Sequence, residues 1–138
     1  MTGIAFVCQG NAGRSQLAMA LAERERERRE LGDCLDLVTG GVDPNDHVHE
    51  EVRHVLAEAD VDIGDRKPRL IRPNDVADVD HIVTMGCEAA EFTPPDWNGT
   101  SEQWDLDHPG GDLESVRAQR DEIAVRVVDL FDRLELGT

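Results

Sequence analysis

Short apolar runs alternate along this chain with longer stretches whose apolar residues recur at helical spacing. Ile4-Ala5-Phe6-Val7-Cys8 reads as a first buried strand, Leu35 to Thr39 as a second and His81 to Met85 as a third. Trp104-Asp105-Leu106 reads as a short last strand, following a Pro- and Gly-rich loop from Phe92 to Gln103. The first helical pattern runs from Arg14 to Glu30, with Leu17, Ala18, Leu21 and Ala22 facing inward and Gly32-Asp33 closing it. A second carries Val48, Val52, Val55, Leu56 and Ala59, and Pro73 to Ala77 is one helical turn. The last begins near Asp112 and buries Val116, Ile123, Val127, Leu130 and Leu134. Strand–helix alternation implies an α/β fold, a mostly parallel sheet covered on both faces. With 138 residues and no repeat or linker, residues 1–138 are expected to form a single domain.

The chemistry concentrates between Cys8 and Ser15, in Cys-Gln-Gly-Asn-Ala-Gly-Arg-Ser. A strand delivers Cys8 to a tight loop, and the loop feeds a helix N-terminus. Gly10, Asn11 and Gly13 can take the positive-φ conformations that curl backbone N–H groups inward. Such a nest at the positive end of a helix dipole cradles an oxyanion, with Gln9, Gly10, Asn11, Ala12, Gly13 and Arg14 as its binding residues. Arg14 adds a planar fork that matches two oxygens of a tetrahedral anion. The same field favours the thiolate of Cys8, a nucleophile, and Ser15 is placed to donate a hydrogen bond to the sulfur.

Charge narrows the partners. There are 30 acidic residues against 14 basic ones, a net charge of −16, and Lys67 is the only lysine. This surplus points to a halophilic protein, whose self-repulsion high salt screens. It argues against nucleic acid and anionic membranes, which need basic patches. No apolar run is long enough to span a bilayer, and the N-terminus does not read as a signal peptide, so a cytoplasmic location is expected. Three cysteines, Cys8, Cys34 and Cys87, make no disulfide scaffold. Cys34 reads as idle. His47, His49 and His54 do not converge, so no metal site is expected and these side chains read as solvent-exposed.

Two further residues belong to the candidate site. Cys87 follows the third strand and therefore lies at the same sheet edge as Cys8, as a candidate partner thiol. Asp107 follows the last strand and is a candidate acid for a leaving oxygen. Asp105 is the weaker candidate. The loop Gly40 to Pro44, after the second strand, is expected to help wall the site.

The Cys8 loop resembles the phosphate loop of the low-molecular-weight protein tyrosine phosphatases. The wording Asn11-Ala12-Gly13-Arg14-Ser15-Gln16-Leu17-Ala18 is more similar to the arsenate reductases that share that fold. Asp65 to Leu70, Ala77 to Cys87 and the Arg117 to Val127 helix extend this likeness over nearly the whole chain. The resemblance implies a four-stranded parallel sheet flanked by helices. It implies Cys8 as nucleophile, the Gln9–Arg14 loop for the anion, Ser15 as thiolate donor and Cys87 as first relay thiol. No cofactor is implied, only an external thiol reductant, a thioredoxin-like protein or a small thiol.

The chain departs from the family pattern in three places. Relatives coupled to thioredoxin carry another relay cysteine shortly after the Cys87 position, and Glu88 to Thr93 contains none. The family acid sits directly before the loop proline, where this chain has His108, with Asp107 one place earlier, so that either the register has slipped by one and Asp107 is the acid, His108 donates the proton, or ester hydrolysis is weak. The phosphatase branch flanks its pocket with aromatic residues; this chain has no tyrosine, leaving Phe92, Trp97 or Trp104 for stacking. Three readings follow. The first is an arsenate reductase using Cys8 and Cys87. The second is a tyrosine phosphatase acting on phosphotyrosine proteins through a phosphocysteine with Cys8, Arg14 and Asp107. The third is a non-catalytic oxyanion-binding module.

Overall fold

The computed structural model describes residues 2–107 and 111–136. In chain order its elements are β1 (Thr2–Cys8), α1 (Arg14–Arg28), β2 (Leu35–Gly41), α2 (Glu50–Glu58), α3 (Pro73–Val76), β3 (His81–Met85), a 3-10 turn (Ala89–Glu91), β4 (Thr100–Gln103) and α4 (Leu113–Arg133). The sheet is parallel throughout, in the order β2-β1-β3-β4. β1 is central because every residue from Gly3 to Cys8 is buried and can be covered on both faces. Cys8 pairs with Gly41 on one side and Met85 on the other. Chain connections diverge on either side of β1, so its carboxyl end is the switch point where open α/β sheets bind ligands.

Alternate residues of β1 serve two cores. Ile4, Phe6 and Cys8 face α1, α2 and α4, packing with Leu17, Leu21, Val52, Leu56, Ile123 and Leu130. Ala5 and Val7 face the other way, toward Ile71, Val76, Val79, Ile82, Cys87 and Phe92. The second face is covered by α3, the 3-10 turn and extended chain rather than by long helices. Helices thus flank both faces, unequally.

The edge strand lies earlier than the sequence pattern predicts. Thr100–Gln103 forms β4 within the stretch expected to be loop, because an exposed edge strand needs no apolar alternation. Trp104, expected within that strand, extends the ladder by one bond, its N–H donating to Thr84 O at 2.9 Å. Its ring then turns onto Phe6, with centroids 5.8 Å apart.

The helix ends differ as well. α1 stops at Arg28, short of Glu30 and Gly32. Glu30 takes φ 57°, Leu31 N donates to Arg26 O at 2.9 Å and Glu30 N to Glu27 O at 3.1 Å. This is a Schellman closure with glutamate where glycine is preferred. α2 and α4 close in the same way, with Asp60 at φ 61° and Glu135 at φ 57°. Among the described residues no helix is long and apolar enough to cross a membrane.

Candidate active site

The chain from Cys8 to Arg14 curls because its carbonyls are held from outside. Cys8 O accepts from Val42 N at 3.3 Å, Gln9 O from Asp43 N at 2.9 Å, Gly10 O from Asn45 N at 2.9 Å and Ala12 O from His49 N at 3.0 Å. All four donors lie on the β2–α2 connection. A planar trans peptide points its N–H opposite its C=O, so the amides of Gln9, Gly10, Asn11 and Gly13 turn to the concave side. Asn11 N reaches Cys8 Sγ at 3.2 Å. The loop ends at Gly13, directly before α1, whose positive end adds to the cradle.

Only one of the three residues expected at positive φ adopts it: Asn11, at 52°. Gly10 and Gly13 serve close approach instead. A Cβ on Gly10 would lie 2.8 Å from Asn45 Oδ1, and Gly13 sits at φ −129°, ψ −93° beside the ring of His49.

The Asn11 side chain, fully buried, fixes the proton order around the thiol. Thr39 Oγ1 donates to Phe6 O at 2.8 Å, so it accepts from Asn11 Nδ2 at 3.0 Å. The other Nδ2 hydrogen goes to Ser15 Oγ at 2.7 Å. Ser15, having accepted, has its own proton for Cys8 Sγ, 2.8 Å away. Asn11 Oδ1 accepts from Arg69 N at 3.1 Å and Gln16 Nε2 at 3.2 Å, which settles the amide's orientation. The arrangement presents two hydrogen-bond donors, Asn11 N and Ser15 Oγ, to the sulfur.

Arg14 donates from Nη1 to Leu106 O at 2.7 Å. Its guanidinium lies against Gly86, where a Cβ would fall 2.8 Å from Nη2. Gly86 has φ +84°, so both its backbone and the arginine demand glycine. The cavity above the loop has a volume of about 360 Å³. Cys8, Gly10, Ala12, Gly13 and Arg14 line its floor, and Asp43, Asn45, His49, Glu51, Val52, Gly111 and Val116 its sides. The loop after the second strand thus contributes to the wall, as expected. No aromatic side chain is among the described walls. Phe92 lies in the core on the far face, Trp97 donates from Nε1 to Val79 O at 2.9 Å, and Trp104 packs on Phe6.

Asp107 is exposed and is not among the described wall residues; its backbone carbonyl accepts from Gln119 Nε2 at 2.7 Å. His108 lies outside the described residues. Cys87 is buried, 6% exposed, with Sγ directed to Val7 O at 3.7 Å. Burial, then the nearby charges of Glu91 and Cys8, push its thiol up to about 12. Cys87 belongs to the core on the Val7 face and Cys8 to the core on the Phe6 face, so the sheet edge separates them. Cys34 is exposed.

Sequence reasoning missed Thr39, Gln16, Gly86 and His49. Thr39 and Gly86 act through tertiary contact and carry no local signature, whereas Gln16 stands in the motif itself and acts on Asn11 five positions earlier. His49 is exposed, as expected for a solvated histidine, yet its exposure is to the cavity.

A sequence model of low molecular weight phosphotyrosine protein phosphatases matches residues 3–136. A Halobacterium salinarum protein named "Putative arsenate reductase" is 47% identical over 132 residues, covering 95% of this chain and 92% of that one. A Bacillus cereus arsenate reductase is 30% identical over 129 residues, covering 90% of each chain. A Corynebacterium glutamicum thioredoxin-dependent arsenate reductase superimposes with a TM-score of 0.80 at 25% identity. The match covers 100% of this chain and 64% of that one, so this chain spans just under two thirds of the larger protein.

Proposed function

The chain belongs to the low molecular weight phosphotyrosine protein phosphatase family, and we propose that within it this enzyme reduces arsenate. The observation that carries the reading is a thiol in an anion cradle whose described walls hold no aromatic side chain to grip an aryl ester. The names of its relatives point the same way.

Cys8, as thiolate, attacks arsenic, and one arsenate oxygen leaves as water after receiving a proton. The loop amides and Arg14 hold the remaining oxygens. Ser15 holds the thiolate before attack. Cys87 then loses its proton and attacks Cys8 Sγ. The electron pair of the sulfur–arsenic bond passes to arsenic, arsenite departs and a Cys8–Cys87 disulfide remains. An external dithiol of the thioredoxin class, or two equivalents of a small thiol, takes up the oxidation. With no further cysteine in Glu88 to Thr93, that reductant meets the Cys8–Cys87 bond directly.

Treating the reduced protein with arsenate, without thiol and at high salt, and mapping disulfides by mass spectrometry tests the reading. The expected product is a stoichiometric Cys8–Cys87 link formed with arsenite and abolished in Cys87→Ser. Unchanged free thiols would remove the internal relay.

One observation favours a second reading. Cys87 is buried on the opposite face with its proton firmly held, and a phosphatase needs no second thiol. In that reading Cys8 and Arg14 hydrolyse phosphate monoesters, phosphotyrosine proteins among them, through a phosphocysteine. Cys87→Ser keeping full activity on aryl phosphates, together with indifference to arsenate, would establish it.

A further inference from the structure

Consecutive carbonyls from Cys8 to Ala12 run along the outside of the cradle. Those of Cys8, Gln9, Gly10 and Ala12 are taken by backbone amides of Val42, Asp43, Asn45 and His49. The remaining one, Asn11 O, meets no backbone amide among the described residues. It accepts instead from a side chain, Gln16 Nε2, at 3.1 Å. The peptide that carries Asn11 O also carries Ala12 N–H, and a planar trans peptide points the two in opposite directions. With Asn11 O drawn outward, Ala12 N–H faces the cavity whose floor Ala12 lines. We propose that Gln16 is a positioning residue for the oxyanion: by holding Asn11 O it turns Ala12 N–H inward as a donor to the bound anion. The proposal rests on the reading that the cradle holds an oxyanion.

The side chain is built for this one task. Gln16 is fully buried, at the third position of α1. Its Nε2 also donates to Asn11 Oδ1 at 3.2 Å. Both partners of Nε2 are oxygens that only accept, so reversing the amide would set Oε1 against the pair of them. Oε1 itself is buried and has no hydrogen-bond partner among the described residues. A buried acceptor left unpaired costs the fold stability, and the donor end is what this residue supplies in return. Glutamine at the third position of a helix ordinarily reaches back to accept from the capping residue's N–H, a task that glutamate performs equally well. Here the direction is reversed. The side chain donates to a carbonyl, and a carboxylate has no proton to offer in its place.

The surroundings of the thiol do not pass through Gln16. Cys8 Sγ meets Asn11 N at 3.2 Å and Ser15 Oγ at 2.8 Å. Asn11 Oδ1 also accepts from Arg69 N at 3.1 Å, and Asn11 Nδ2 is held by Ser15 and Thr39. Loss of the Gln16 amide therefore releases the Asn11–Ala12 peptide while the Asn11 side chain stays tied. Anion affinity and thiol reactivity should come apart.

Inorganic phosphate is the probe. Its titration into the wild-type protein at fixed high salt should move the Ala12 amide proton resonance downfield, the signature of a hydrogen bond to an anion. In Gln16→Met, a side chain of similar length without the donor, that response should vanish. Phosphate should then bind roughly 10-fold or more weakly, the size of one lost charge-assisted hydrogen bond. Gln16→Glu at neutral pH should lose at least as much. Alkylation of Cys8 by iodoacetamide without phosphate, followed at its peptide by mass spectrometry, should keep close to the wild-type rate in both variants. The phosphate concentration that halves this rate should rise with the loss of affinity. Urea unfolding checks that the variants fold, and the wild-type resonance decides the matter if they do not. Undiminished phosphate affinity in Gln16→Met would overturn the proposal. So would a wild-type Ala12 amide that ignores phosphate while other loop amides respond, or an alkylation rate without phosphate that falls as far as the affinity, which is the mark of a merely structural role. Wild-type protein in which phosphate neither moves a loop amide nor protects Cys8 would instead overturn the parent reading, and this one with it.

Discussion

Replacing Asn11 with alanine should be among the most damaging single changes the loop can suffer, and its cost can be worked from the structure. The side chain makes four hydrogen bonds, to Ser15 Oγ, Thr39 Oγ1, Gln16 Nε2 and Arg69 N. At about 0.5–1.5 kcal/mol net each, their loss costs roughly 2–6 kcal/mol. Asn11 also sits at φ 52°, and alanine there adds about 1 kcal/mol relative to asparagine, which tolerates the left-handed region. The expected destabilisation is about 3–7 kcal/mol, a large part of the 5–15 kcal/mol typical of a domain. Urea unfolding at fixed high salt is the assay: the midpoint should fall with the slope unchanged. Asn11→Gly separates the two contributions, since it removes the same hydrogen bonds without the φ strain, and it should be more stable than Asn11→Ala. Activity should collapse in both, because Ser15 is then free to turn its proton away from Cys8. A loss below about 1.5 kcal/mol would refute the reasoning, for it would mean that the buried partners find other bonds.

Gly86→Ala should leave the protein folded but weaken phosphate and arsenate binding roughly 10-fold or more, because the new Cβ displaces the guanidinium of Arg14 by which the anion is forked; competitive inhibition by phosphate reads this. Glu58, hydrogen-bonded chiefly by Arg117 and also by Arg120, is held down at about 2 from its ordinary 4.5. The unfolded carboxylate therefore takes up a proton first, and stability should fall as pH drops through that window; Glu58→Gln should flatten this part of the acid-unfolding curve. Cys87 shows the opposite sign: its thiol keeps its proton up to about 12 when folded but only to about 9.0 when unfolded, so stability should fall as pH rises above 9.0, and Cys87→Ser should remove that loss. Glu30→Gly and Glu135→Gly should each stabilise by about 1 kcal/mol in thermal or urea unfolding, by relieving a left-handed residue at a Schellman closure.

The cradle was legible in the sequence because it is local. Cys8, Arg14 and Ser15 sit within eight consecutive positions, between a buried run and a helix. The central strands were legible for the same reason: each is a short apolar run. β4 was not, since Thr-Ser-Glu-Gln has no apolar alternation and pairs only because β3 offers it an edge. The anchors of the loop were also hidden. Thr39 acts from 28 positions away on Asn11, and Gly86 matters through a side chain 72 positions earlier, by subtraction of 14 from 86. His49 had one partial signal: it stands shortly after the loop already expected to wall the site.

The position of Arg14 bears on how one fold could serve both chemistries. On one side its guanidinium helps to floor the Cys8 cavity; on the other it meets Gly86 and Leu106, which line a separate groove with Cys87. Arg14, proposed above to hold the oxyanion, thus lies between the cavity at Cys8 and the residues that line the groove at Cys87. A disulfide requires Cα atoms within about 7 Å and sulfurs directed at one another. Cys87 Sγ instead points to Val7 O, on the face away from Cys8. Cys8 pairs with Met85, so the only residue between the paired position and Cys87 is Gly86, at φ +84°. Rotation at this one glycine would swing Cys87 without disturbing β3, and it would move the surface on which Arg14 rests. Phosphate transfer requires that surface to stay, whereas relay to a second thiol requires it to yield. Stiffening residue 86 should therefore suppress formation of a Cys8–Cys87 bond more severely than it suppresses hydrolysis of an aryl phosphate.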